Sequence, residues 1–227
     1  MKKLRPNEER AKGAIMVIWL LLAVEVVSFI SSGMQYSFLQ RAASGGTISE
    51  TDAMANDLRE GVIAAIYFIV YLVYIITFIM WFRRAYFNLH QKSKKLQFSE
   101  GWAAGSWFVP FLNLYRPFQI MNELYTETKR LLVKNGISEK DIYPINYLPT
   151  WWTLYIVTTF VGNIVLRIGF NADTINNFIA VTIGDMIMSI LGVALSLVTI
   201  KVIKDYSKVE PLLAQISDEE SNTDNKK

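Results

Sequence analysis

The stretch GVIAAIYFIVYLVYIITFIMWF, Gly61–Phe82, carries no charge over 22 residues. As a helix rising 1.5 Å per residue it would reach ~33 Å, enough to cross a hydrocarbon core of about 30 Å. A soluble domain has no use for a helix apolar on every face. The stretch therefore reads as a membrane span.

Three further blocks share this character. Ala14–Ser32, AIMVIWLLLAVEVVSFISS, contains Glu25 among eleven strongly apolar residues. An acid at a helix centre costs about 2.5–3.5 kcal/mol and each large aliphatic side chain returns roughly 0.3–0.6, so the block inserts. Lys2, Lys3 and Arg5 ahead of it, and Ser31-Ser32-Gly33 behind it, also suit a cleaved signal peptide. The apolar stretch is longer than a signal core, which favours an uncleaved anchor. Thr150–Phe170 opens on the interfacial pair Trp151-Trp152 and carries Asn163 and Arg167. Phe178–Ile203 carries Asp185 and ends in Lys201 and Lys204, whose stems can reach headgroups.

Lys and Arg counts set the orientation. The successive connections hold five, two, ten, none and five, an alternation that places both termini in the cytoplasm. The expected fold is an all-α integral membrane four-helix bundle with a cytoplasmic interfacial or re-entrant helical segment between spans two and three. Its parts are a cytoplasmic N-terminus (1–13), span one (14–32), a periplasmic loop (33–60) and span two (61–82). Ser49 and Asp52 resemble a capping box, with Asp in place of Glu or Gln, which would start the second helix near Glu50 and carry it beyond the bilayer. A cytoplasmic connection (83–149) follows, with an interfacial segment (98–117) and a helix (118–134). Span three (150–170), a periplasmic turn (171–177), span four (178–203) and a tail (204–227) complete the chain. The end of the tail, SDEESNTDNKK, has no apolar residue and reads as disordered.

Composition narrows the chemistry. The chain is 52% hydrophobic, lacks Cys, and has His90 as its single histidine, with a net charge of +3. Thiolate and His-cluster metal sites are excluded, and no phosphate loop, HExxH or GxSxG is present. No catalytic residue, cofactor, metal or nucleic acid is expected. His90, among basic residues beyond span two, reads as a solvated or interfacial side chain. The basic residues Arg83, Arg84 and Lys92–Lys95 either enforce topology or bind anionic headgroups.

The connection between spans two and three is the most distinctive segment. Trp102–Leu114 runs 13 residues without charge, too short to span and fitting an interfacial or re-entrant element. Trp102, Trp107, Phe108, Pro110, Asn113, Arg116 and Pro117 mark it. It is an aromatic lid, a pore-lining or ligand-binding re-entrant loop, or a soluble loop. WFRRAYFNL (Trp81–Leu89), GWAAGSWFVPFLNLYRPFQIM (Gly101–Met121) and Trp151-Trp152 resemble the bacterial DUF4328 family. The resemblance reaches from span one to span four. It implies a bacterial membrane protein with several spans and, because the family is named for having no known function, no activity and no site residue.

Polar residues inside the spans form a second pattern. Measured from the outer span boundaries, Glu25, Asn163 and Asp185 each lie seven residues deep, or ~10 Å at the helical rise. Tyr67 is roughly 9 Å deep by the same rise, and Arg167 is one turn nearer the outside. The expectation is a buried cluster of Glu25, Arg167 and Asp185, with Asn163 and Tyr67 as hydrogen-bond partners, either functional or fixing helix register. On span four, Thr182, Asp185, Ser189, Gly192, Ser196 and Thr199 recur at alternating steps of three and four. They form a close packing face or line a polar path.

Three functional classes remain. In order of preference they are a non-enzymatic membrane component acting through protein partners or lipids, a small transporter or channel using the intramembrane charges, and an intramembrane enzyme. The expected partners are the lipid bilayer, its anionic headgroups and other membrane proteins, in a bacterial cytoplasmic (inner) membrane. Because the chain has no Cys, topology is directly testable. In intact cells an impermeant thiol reagent should label Gly46→Cys and Thr174→Cys but not Lys95→Cys; labelling at position 95 would overturn the orientation.

Overall fold

Long uncharged runs become long helices. The computed structural model describes residues 4–139, 142 and 147–216 and is all-α. The expected disordered end (217–227), Lys2, Lys3 and Lys140 lie outside the described residues. The helices are α1 (Glu8–Ala43), α2 (Glu50–His90), α3 (Trp102–Gly105), α4 (Arg116–Lys134), α5 (Leu148–Phe170) and α6 (Ile175–Val209). Short 3₁₀ turns cover Leu112–Leu114 and Glu210–Ala214. α1, α2, α5 and α6 each contain a window long and apolar enough to cross a membrane. The chain is a multi-pass integral membrane protein.

The helices overrun their apolar cores. α1 has 36 residues and α2 has 41, so at the helical rise they reach ~54 and ~62 Å. The expected loop over 33–60 is consequently helical except for 44–49. Extending a formed helix through Gln40, Arg41 and Ala42 adds a hydrogen bond per residue at little cost. Gly45 ends α1: at φ +79° it lets its own N–H reach the Ala42 carbonyl, and the Gly46 N–H reach that of Arg41. Ser49 Oγ then accepts from the Asp52 N–H at 3.1 Å and starts α2.

The chain divides into two compact units. One comprises Val17–Tyr74 and Thr153–Thr199; the other comprises the described parts of 1–16, 75–152 and 200–227. The second is organised by α4. Its buried residues Pro117, Ile120, Met121, Leu124, Tyr125, Thr128, Leu131 and Leu132 follow the spacing of a single apolar face. That face meets the aromatic ends of the long helices. Tyr125 donates to the Val202 carbonyl, its ring lies 5.4 Å from that of Tyr206, and Trp81 meets Tyr206 edge-on at 6.2 Å.

Polar groups in this unit are tied down. Glu210 is buried and accepts from Asn88 Nδ2 at 2.7 Å and from Asn7 Nδ2 at 2.9 Å. Burial pushes its carboxyl above the usual range, against the opposing pull of Asn88, Asn7 and the Arg84 charge. Lys92 is also buried, donating from Nζ to the Ile216 carbonyl at 2.9 Å. It is therefore not offered to headgroups: a lysine whose ammonium finds a carbonyl can be sequestered along its whole stem. His90 is half-buried rather than solvated, edge-on to Tyr86 and 3.0 Å from the Phe98 carbonyl through Nε2.

The segment ahead of α4 is a series of turns, with helix beginning at Arg116 and Pro117 in its first turn. Trp107 packs edge-on to Phe78 at 5.6 Å and to Trp152 at 6.1 Å. Trp152 Nε1 donates to the Leu114 carbonyl at 3.2 Å. Between these anchors Phe111 sits at φ +63°, ψ −40°, and the Leu112 N–H reaches back to the Pro110 carbonyl at 2.8 Å. That is a γ-turn of the rare, strained hand. It leaves Phe111 81% and Phe108 70% exposed.

Candidate ligand cavity

Polar side chains in the unit formed by Val17–Tyr74 and Thr153–Thr199 gather around a cavity of about 610 Å³. Each helix supplies one stripe. α1 gives Leu21, Glu25, Ser28 and Ser32, at steps of four, three and four. α2 gives Glu60, Ala64, Tyr67, Tyr71 and Tyr74 at the same helical spacing. α5 contributes Tyr155, Thr158, Thr159 and Asn163, and α6 contributes Asp185, Ser189, Gly192 and Ser196. Ser32 and Leu21 are eleven residues apart along α1, so the cavity extends ~16 Å along that helix at its rise.

Glu25 is the most enclosed of the acids, 4% exposed. Tyr67 is its hydrogen-bonding neighbour. Its carboxyl carbon would lie 2.6 Å from a Cβ at position 192, and Oε1 closer still, so a side chain there would push the carboxyl aside. The Tyr67 and Tyr71 rings stack at 5.8 Å and Tyr71 meets Tyr74 at 5.9 Å, giving one aromatic wall. Asp185 is exposed where it lines the cavity, and the charge that acts on it is Glu60.

Glu60 is itself neutralised. Arg59 Nη2 lies 3.0 Å from Glu60 Oε1, Ser31 Oγ donates to the same oxygen at 2.6 Å, and Arg59 Nε donates to Ser31 Oγ at 3.0 Å. The sequence carries a partial signal for this group in the Ser49/Asp52 cap that would start a helix near Glu50. The helical register from Ser49 onward is the feature that could have found it, since it sets Arg59 and Glu60 on α2, one turn before Ile63 and Ala64.

Four of the five residues expected in the intramembrane cluster line this cavity: Glu25, Tyr67, Asn163 and Asp185. Arg167 does not. It is exposed in the last turn of α5 and makes no ion pair among the described residues. A long cationic side chain at a helix C-terminus is favoured by the macrodipole and can reach outward past the apolar belt, so burial between two acids is not its best position. Asn163 bonds locally, its Nδ2 donating to the Thr159 carbonyl at 2.7 Å. The small and polar stripe of α6 is buried at Thr182, Ser189, Ser196 and Thr199, and four of its members, Asp185, Ser189, Gly192 and Ser196, line the cavity.

Hydroxyls without partners among the described residues open on the cavity. Ser32, Ser189 and Ser196 are more than nine-tenths buried, line the cavity and make no side-chain hydrogen bond among the described residues. Thr158 Oγ1, also at the cavity, is buried and unpartnered. Hydroxyls in apolar surroundings ordinarily find acceptors.

The class defined by these features is a multi-pass, all-helical membrane protein with a polar cavity inside its span unit. The chain belongs to the family described as a domain of unknown function, DUF4328, whose sequence profile matches residues 44–208. No curated protein and no solved structure matches it.

The seat of Glu25 is open to a direct test. Helical Gly→Ala changes are ordinarily neutral or favourable by up to about 1 kcal/mol, and Gly33→Ala, with nothing within 4 Å of the new methyl, should behave so. Gly192→Ala must push the Glu25 carboxyl aside and should be less favourable than Gly33→Ala by about 1 kcal/mol, a difference that Glu25→Ala in the same chain should abolish. Thermal unfolding in detergent reads all three; equal behaviour of the two glycines would disprove the contact.

Proposed function

We propose that this chain is a non-enzymatic membrane component that takes a small ligand into the cavity of its span unit. The observation that carries the reading is a space of about 610 Å³, within the range of small-molecule sites, onto which the buried residues Ser32, Ser189 and Ser196 bring hydroxyls that have no partner among the described residues. Polar groups placed at membrane depth without partners are costly. A ligand, or water that it displaces, would satisfy them. A small transporter or channel is the related alternative. It would draw on Glu25 and Asp185 without Arg167, since that residue does not line the cavity.

The Lys and Arg distribution supports both termini inside a bacterial cytoplasmic membrane, with the 44–49 turn on the opposite side. The cavity end at Ser32, Glu60 and Asp185 is then nearer the periplasm. A Ser196→Cys variant of this Cys-free chain, reconstituted in lipid, tests the reading. A small neutral methanethiosulfonate should modify it about tenfold faster than Leu124→Cys, because thiol reactivity follows access. Equal rates would remove the cavity as a ligand site.

Lipid contact through the turns before α4 is a second reading, favoured by the exposure of Phe108 and Phe111 on a strained turn. Arg116 follows the same turns at the start of α4, its guanidinium 4.6 Å from the Phe98 ring centre, and suits anionic headgroups. Aromatic side chains favour the membrane–water boundary. A bimane dye on Phe111→Cys should be quenched by lipids spin-labelled near the headgroup, and more strongly than the same dye on Asn135→Cys. Equal quenching at the two positions would refute it.

A further inference from the structure

Resting on the ligand-cavity reading, we infer that the ligand is an organic cation with an apolar or aromatic body, such as a quaternary ammonium or phosphonium. The sign of the charge comes from the lining. Glu25, Glu60 and Asp185 line the cavity, and among the described residues no Lys, Arg or His does. Arg59 neutralises Glu60, whereas neither Glu25 nor Asp185 has an ion pair among the described residues. Two uncompensated acids in a bilayer-spanning unit repel an anion and favour a guest that brings positive charge.

The shape of the cation comes from the walls. Tyr67, Tyr71, Tyr74 and Tyr155 line the same space. Ring faces carry negative potential, so a diffuse cation gains from several of them at once. A bare metal ion gains little here: it needs six or more oxygens at close range, and a cavity of about 610 Å³ is far too large to supply them around one point. A delocalised charge on an apolar body fits the volume, the tyrosine faces and the acids together. Ser189 and Ser196 add hydroxyls along α6 for a guest with a polar substituent.

The test uses the full chain in phosphatidylcholine nanodiscs, with empty nanodiscs as the blank. Three probes of similar bulk are compared by equilibrium dialysis: tetraphenylphosphonium, neutral triphenylphosphine oxide and anionic tetraphenylborate. The expected result is saturable binding of the phosphonium, tighter by about tenfold or more than either other probe. Glu25→Gln and Asp185→Asn should each weaken that binding by about tenfold while leaving the weak neutral binding unchanged. Should Glu25→Gln fail to fold, Asp185→Asn together with Tyr71→Leu carries the test, the tyrosine change lowering phosphonium affinity alone. If the neutral and cationic probes bind equally and the acid substitutions change nothing, the cation assignment is wrong and the cavity remains a ligand site. If no probe saturates, the cation assignment also fails, and an unreactive Ser196→Cys would take the ligand-cavity reading with it.

Discussion

Inside a bilayer there is no water to accept a polar group, so each peptide N–H and C=O must be bonded within its own helix and each polar side chain must turn toward another. This constraint arranges the span unit. The apolar stripes of α1, α2, α5 and α6 are left exposed, as at Phe68, Phe160 and Ile190. Glu25, Tyr67, Asn163 and Asp185 face a shared space instead. Because each helix places its polar residues at steps of three and four, four separate stripes can converge. Glu25 decides how closely: its carboxyl occupies the place where any other residue at 192 would put a methyl group.

The spans were legible because their signal is length and composition. Gly61–Phe82 needs no neighbour to be read, and an uncharged run of 22 residues suits little besides a hydrocarbon core. The layer of polar residues was partly legible too, since depth follows from counting along a helix. Direction around the helix was not. Arg167 shares a depth range with Asn163 but ends α5, where the chain turns and the side chain has room to extend outward. The start of α2 at Glu50 was legible from Ser49 and Asp52, whereas the overruns of α1 to Ala43 and of α2 to His90 were hidden. Positive and negative residues there suit loop and helix equally well, and helix continuation is decided by caps such as Ser49 and Gly45.

The unit containing α4 shows the opposite case, a soluble-style core read from a pattern. The buried face of α4 follows ordinary amphipathic spacing, and aromatic residues meet the helix: Tyr206 at Tyr125, Tyr86 at Glu123 and Trp152 at Phe118. Sequence could propose an aromatic lid there, yet could not separate anchor from tip. Trp107 and Phe108 are adjacent and equally aromatic. The first packs against Phe78 and Trp152; the second is exposed. What divides them is the turn at Pro110-Phe111, whose positive φ is a backbone property that an aromatic residue gives no hint of.

The treatment of buried carboxylates separates the two units and indicates where ligand chemistry belongs. Glu210 is enclosed by donors: Asn88 and Asn7 both reach it, with the Arg84 charge acting on it. Its negative charge is satisfied within the fold, so it needs nothing from outside and explains the joining of α1, α2 and the end of α6 in that unit. Glu25 is as deeply buried but has Tyr67 as its one hydrogen-bonding neighbour, with Gly192 rather than a donor side chain behind it. Two acids of similar burial thus differ in what surrounds them. A carboxyl held for structure collects donors until its lone pairs are used. One left with lone pairs facing a cavity, beside stacked tyrosines, is placed to meet the positive charge of a guest.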